Sequence, residues 1–126
     1  MSFTYPKSEK LKKKNTIDQL FAAGKSVSKY PLRLVYIQIE LPEGEKIKMG
    51  VSVSKKYFKK AVDRNYFKRV LRETYRLNKQ MLVENTQQTY AFMFFYQSKD
   101  RLTYEEINQK TVDLFEKFLI QFKSNM

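Results

Sequence analysis

Seven consecutive residues, Tyr90-Ala91-Phe92-Met93-Phe94-Phe95-Tyr96, are apolar or aromatic without interruption. Successive side chains of a strand point to opposite sides, so a run of this kind must be covered twice. It predicts a central strand with helices on one side and further structure on the other, and its register does not follow from the run alone. At 126 residues the chain can bury one substantial core. A single domain over 1–126 is therefore expected.

The flanking segments supply the other elements. Residues 1–14 are basic and poor in apolar side chains, which predicts a flexible basic arm. Asn15 or Thr16 can cap a first helix whose inner side is Ile17, Leu20 and Phe21 and which stops at Gly24. Ser26 to Ser28 reads as a minor strand. Leu32 to Leu41 sets Arg33, Val35, Ile37 and Ile39 against Leu32, Leu34, Tyr36 and Gln38, the alternation of a strand. After a turn at Pro42-Glu43-Gly44-Glu45, Lys46 to Ser54 sets Ile47, Met49, Val51 and Val53 against Lys48, Gly50 and Ser52. These two strands are expected to pair as an antiparallel hairpin. From Ala61 to about Gln80, Phe67, Val70, Leu71, Thr74, Leu77 and Met81 form a helical stripe for the sheet. Thr103 and Glu106 form a capping box ahead of a last helix with Tyr104, Ile107, Thr111, Leu114, Phe115, Phe118 and Phe122 on one face.

Charge narrows the function. The formal net charge is +12, and 10 of the 25 Lys and Arg residues fall between Lys55 and Lys79 against two acids, Asp63 and Glu73. Arg64, Lys68, Arg72 and Arg76, with Asn65 and Arg69 beside them, follow a four-residue spacing opposite the apolar stripe. Like charges so placed repel by roughly 0.2–0.5 kcal/mol per pair, so a bound polyanion explains them better than helix stability does. A merely solvated face and a lysine-rich proteome are the plainer alternatives. No apolar run spans a membrane and no signal peptide precedes the domain, so a cytoplasmic protein without a membrane partner is expected.

The absence of Cys and His removes disulfides, thiol nucleophiles, His-based triads and nearly every zinc site. The thirteen acids are scattered without an Asp-x-Asp pair, which argues against catalysis by the polypeptide itself. Single-stranded nucleic acid needs an electropositive groove with platforms for stacking bases. Phe21 and Tyr36, with Lys12 to Lys14 and Lys55-Lys56 nearby in sequence, can line such a groove, and the same spacings of Phe21, Tyr36, Ile17 and Leu34 also suit a core.

Ala61-Val62-x-Arg64-Asn65, followed by Lys68-Arg69 and Arg72 and preceded by Ser52-Val53-Ser54-Lys55-Lys56, resembles the hallmark of the protein subunit of bacterial ribonuclease P, which removes the 5′ leader from precursor tRNA. Leu11-Lys12-Lys13, Phe21, Gly24 and Leu102-Thr103-Tyr104-Glu105-Glu106 add weaker matches, so the resemblance covers almost the whole chain. It implies an α+β fold, a two-layer α/β sandwich in the order α-β-β-β-α-β-α with a left-handed β-α-β crossover, as in a domain of elongation factor G. It implies catalysis by an RNA subunit with magnesium ions, with ribonuclease P RNA and precursor tRNA as partners and no DNA. By position it assigns RNA-subunit binding to Lys60, Arg64, Asn65, Lys68, Arg69 and Arg72. The leader cleft, between the first helix and the sheet, falls to Lys12, Phe21, Leu34, Tyr36, Lys55 and Lys56; metal ligands on the protein are not assigned.

Several positions depart from the family pattern. Tyr66 stands where Arg is usual, Phe58-Lys59-Lys60 precedes Ala61 in place of a glycine, Ile17 replaces a frequent aromatic, and Tyr96 occupies a place often held by a leader-contacting Arg. A ribosomal or general RNA-binding protein is the alternative reading; a DNA-binding or membrane-surface protein ranks third.

Overall fold

A computed structural model describes residues 14–42 and 44–124, with the side chains of 14, 15 and 122–124 left out. Residues 1–13 of the arm expected over 1–14, including Lys12, and the expected contributions of the Asn15, Glu43 and Phe122 side chains lie outside what is described. The elements are α1 (Lys14–Ala23), β1 (Lys25–Lys29), β2 (Leu32–Gln38), β3 (Ile47–Val53), α2 (Ala61–Asn85), β4 (Tyr90–Tyr96) and α3 (Tyr104–Ser124). Their order is the expected α-β-β-β-α-β-α.

The apolar run forms a central strand. The sheet order is β1-β2-β4-β3, with β4 antiparallel to β2 and parallel to β3. The expected hairpin between β2 and β3 is therefore absent, because β4 lies between them. β4 is apolar along its whole length and gains from a central place, whereas β3 keeps Lys48, Gly50 and Ser52 half-exposed at an edge. The connection at residues 39–46 is long enough to step past one intervening strand, a gap of roughly 10 Å. The β3-α2-β4 segment is a parallel β-α-β unit.

Two cores result. On one face Leu34, Tyr36, Met49, Phe92, Phe94 and Tyr96 pack under α2 and α3, with Phe67, Leu71, Phe115 and Phe118 entering from the helices. α2 covers β3 and β4, while α3 covers β1 and β2. A hydrogen bond between the buried Thr74 and Thr111 hydroxyls, 3.0 Å apart, joins the two helices. On the other face Leu20 of α1 packs with Val35, Ala91 and Met93, flanked by Ile17, Ile37 and Phe95. Two helices thus make the main layer and one short helix covers part of the sheet's reverse.

Two helix boundaries move. α1 starts at Lys14, so Thr16 lies inside it and does not cap it. α2 runs on past Gln80 because Leu82 continues the buried stripe; it closes where Thr86 donates through its backbone N and its hydroxyl to the Leu82 carbonyl, at 3.1 and 2.9 Å. Leu77 is 40% exposed and leaves that stripe to Tyr75, which is buried. The capping box forms as expected, with Thr103 N on Glu106 at 2.9 Å and Glu106 N on the Thr103 hydroxyl at 3.2 Å.

Gly24 ends α1 by donating to the Leu20 carbonyl at 2.9 Å, and a Cβ there would collide with that oxygen and stand 3.0 Å from Cγ1 of Val35. Gly24→Ala is expected to destabilise the protein by about 1–3 kcal/mol, which urea unfolding would measure.

Candidate nucleic-acid interface

The approach to α2 is fixed from within. After β3, Tyr57 and Phe58 donate their backbone N–H groups to the Ser54 carbonyl at 3.1 and 3.2 Å, and Lys56 N bonds the Ser54 hydroxyl at 3.0 Å. This tight turn leaves Lys55 and Lys56 exposed and buries Phe58. Phe58 stacks on Phe67 at 4.6 Å, and Phe67 stacks in turn on Tyr96 at 4.6 Å. The Arg101 guanidinium lies 5.7 and 5.3 Å from the Phe58 and Phe67 ring centres and pairs with Asp63 at 3.2 Å. Arg64 is turned back, donating to the carbonyls of Phe58 and Lys59 at 3.0 and 2.7 Å.

Both acids of the basic stretch are thereby occupied, since Glu73 pairs with Arg76 just as Asp63 does with Arg101. The hydrogen bond from Arg76 holds the Glu73 carboxyl below the usual glutamate range. Among the described residues Lys68 and Arg72 have no carboxylate partner, and Arg69 lies over the Tyr66 ring at 5.9 Å. Asn65, Arg69 and Arg72 are exposed, Lys68 is half-exposed, and Lys60 stands exposed at the helix start. A row of uncompensated cations on a rigid helix can neutralise a run of phosphates.

The leader-cleft residues divide. Phe21 is 60% exposed on α1, edge-on to Phe95 at 6.2 Å. Leu34 and Tyr36 lie on the opposite face of the sheet, in the core beneath α2 and α3, so their assignment to a cleft beside α1 is corrected. Tyr36 contacts Phe118 edge-on at 4.7 Å, and burial raises its hydroxyl above the ordinary tyrosine range. Because side chains alternate, the α1 face of β2 belongs instead to Arg33, Val35 and Ile37. The register aligns Ser28, Arg33, Phe95 and Ser52 across four strands, and Ser26, Val35, Met93 and Gly50 in the next row. Leu20 closes over the second row, leaving Arg33 and Phe95 half-exposed beside Phe21. Lys55 and Lys56 follow at the end of β3. Tyr96 is no surface residue either: its hydroxyl donates to the Asp100 carbonyl and accepts from Leu102 N at 3.1 Å.

Residues 5–119 match the family profile for ribonuclease P. The chain belongs to the ribonuclease P protein family. It is 40% identical over 117 residues to the ribonuclease P protein component of Porphyromonas gingivalis, a match covering 88% of this chain and 85% of that one. The corresponding protein of Dictyoglomus thermophilum is 32% identical over 115 residues, covering 91% and 92%. In fold, the chain is similar to the RNase P protein of Staphylococcus aureus, with TM-score 0.70 and 21% identity over 86% of this chain and 93% of the other. The Thermotoga maritima RNase P protein gives TM-score 0.66 and 22% identity over 84% and 94%.

Arg33, Phe95 and Ser52, which share a row on the α1 face of the sheet, were not among the expected site residues. Arg33 is in phase with Val35 on the strand, so its face was visible; that α1 covers this face was not. Arg64, expected to bind the RNA subunit, has an internal structural role. Arg64→Ala is expected to lower stability by about 1–2 kcal/mol through two lost charge-assisted bonds, seen in urea unfolding, whereas Arg72→Ala leaves stability nearly unchanged.

Proposed function

We propose that this chain, as the protein component of ribonuclease P, binds that enzyme's RNA through α2 and grips the 5′ leader of precursor tRNA along the partly covered sheet face beside α1. The observation that carries the reading is the row Lys68, Arg69 and Arg72, left uncompensated while both acids of the same stretch are paired on the chain, in a protein of this family. Lys68, Arg69 and Arg72 meet phosphates of the RNA subunit, releasing its condensed counterions. Asn65 adds hydrogen bonds and Lys60 extends the charge toward the loop.

The leader is single-stranded, and it calls for a platform and a cation. Phe21 and Phe95 supply exposed aromatic surface, Arg33 stands beside Phe95, and Lys55 and Lys56 lead from the cleft toward α2. Lys12 is carried into this reading by the family resemblance alone. The protein does not cleave the phosphodiester. In this reading that chemistry belongs to the RNA subunit, which uses most of the magnesium ions. The chain's contribution is to raise affinity for leader-bearing substrate and to lower the magnesium needed, by bringing positive charge of its own.

No helix among the described residues is long and apolar enough to cross a membrane. A cytoplasmic location goes with this reading.

The test is cleavage of a precursor tRNA by a bacterial ribonuclease P RNA at low magnesium, with and without the protein. Cleavage restored by the protein, and none from protein alone, is the expected result. No restoration with a cognate RNA and folded protein would favour a ribosomal or general RNA-binding role. Lys68→Ala and Arg72→Ala should each flatten the log-log salt dependence of RNA binding by about one unit. Phe21→Ala should reduce the preference for precursor over mature tRNA by about 5- to 100-fold, measured by competitive binding; Tyr36→Ala should instead act by loosening the core.

A further inference from the structure

The outer side of α2 carries one aromatic ring among its charges. Tyr66 is 38% exposed, and Val62, one turn earlier, is 69% exposed. The ring is nevertheless fixed: it stands edge-on to the buried Phe67 at 5.0 Å and 85°, and the Arg69 guanidinium is 5.9 Å from its centroid. Phe67 is itself held in the stack with Phe58 and Tyr96. A tyrosine loses little conformational freedom on binding, and contacts on two sides of this ring favour one orientation. Single exposed apolar residues are ordinary on a surface. One that is braced by the core, backed by a cation and set in an uncompensated basic row is suited to a ligand with both a negative backbone and flat apolar rings.

We propose that Tyr66, with Arg69 against it, forms a stacking platform for an unpaired nucleobase of the RNA that α2 binds, while the neighbouring cations hold that RNA's phosphates. The inference rests on the reading that α2 contacts the ribonuclease P RNA, and it adds a kind of contact to that interface. Phosphate contacts position the helix on any RNA strand of suitable path. A stacked base demands in addition that the RNA present an unstacked nucleotide at that point, so Tyr66 contributes selectivity for a structured site over a plain duplex.

The measurement is binding of the cognate ribonuclease P RNA over a salt series by the wild type, Tyr66→Phe and Tyr66→Ala. Because the chain has no tryptophan, Tyr66→Trp supplies a single indole fluorophore at the platform. Stacking predicts that Tyr66→Ala binds about 5- to 100-fold more weakly with an unchanged salt slope, that Tyr66→Phe binds like the wild type, and that the indole emission of Tyr66→Trp is quenched on adding RNA. Wild-type affinity in Tyr66→Ala would overturn the inference while leaving the proposed function intact. So would equal losses in Tyr66→Phe and Tyr66→Ala, which point to the hydroxyl, or unmoved emission from Tyr66→Trp, which also decides the matter if Tyr66→Ala is unfolded by circular dichroism. Failure of the wild type itself to bind the RNA would overturn both.

Discussion

A strand with no polar face cannot sit at an edge or face water, and the arrangement of this ribonuclease P protein follows from covering β4 on every side. β2 and β3 flank it, α2 with α3 bury Phe92, Phe94 and Tyr96, and α1 buries Ala91 and Met93. The two faces differ in how completely they are closed. Two long helices seal the first, while the ten-residue α1 covers only part of the second and leaves Phe95 half-exposed. The incomplete cover leaves part of that face open beside α1, so one apolar strand is both the centre of the fold and the floor of the surface proposed to take the leader.

The same strand orients the basic helix. Tyr96, at the end of β4, stacks on Phe67 of α2, which stacks on Phe58 of the preceding loop, and Arg101 lies across the pair while holding Asp63. The first turn of α2 is thus tied to the strand on its far side of the crossover as well as to the one that precedes it. Arg64 adds two bonds to the loop carbonyls. The cations at Lys68, Arg69 and Arg72 then project from a helix whose direction is set by this aromatic packing together with the Asp63–Arg101 pair and the Arg64 bonds.

Much of this was legible in the sequence, because alternation and helical spacing report directly on burial. The strand faces of β2 and β3, the capping box of α3 and the identity of the basic helix were all readable from side-chain pattern. What pattern cannot carry is which element covers which face. Leu34 and Tyr36 belong to one side of β2 and Arg33 and Val35 to the other, and a one-residue choice moves the whole cleft across the sheet. Both sides are apolar enough to pack, so only the placement of α1 decides. The hairpin expectation failed for a related reason: sequential strands are usual neighbours, and the demand of β4 for two partners, a long-range effect, outweighed that habit. Leu77 and Tyr75 exchanged roles because α2 faces both a sheet and α3, which rotates the buried stripe from the simple one-sided case.

The pairing of Asp63 with Arg101 and of Glu73 with Arg76 leaves Lys68, Arg69 and Arg72 side by side with no acid between them. In the protein alone their mutual repulsion subtracts from the stability of the fold, and dissolved ions relieve it by screening. In the proposed complex those same ions compete with the protein for the polyanion. With the RNA seated on α2 as proposed, ionic strength pushes the isolated subunit and the ribonucleoprotein in opposite directions, and the RNA stabilises the fold of its protein partner by relieving that repulsion.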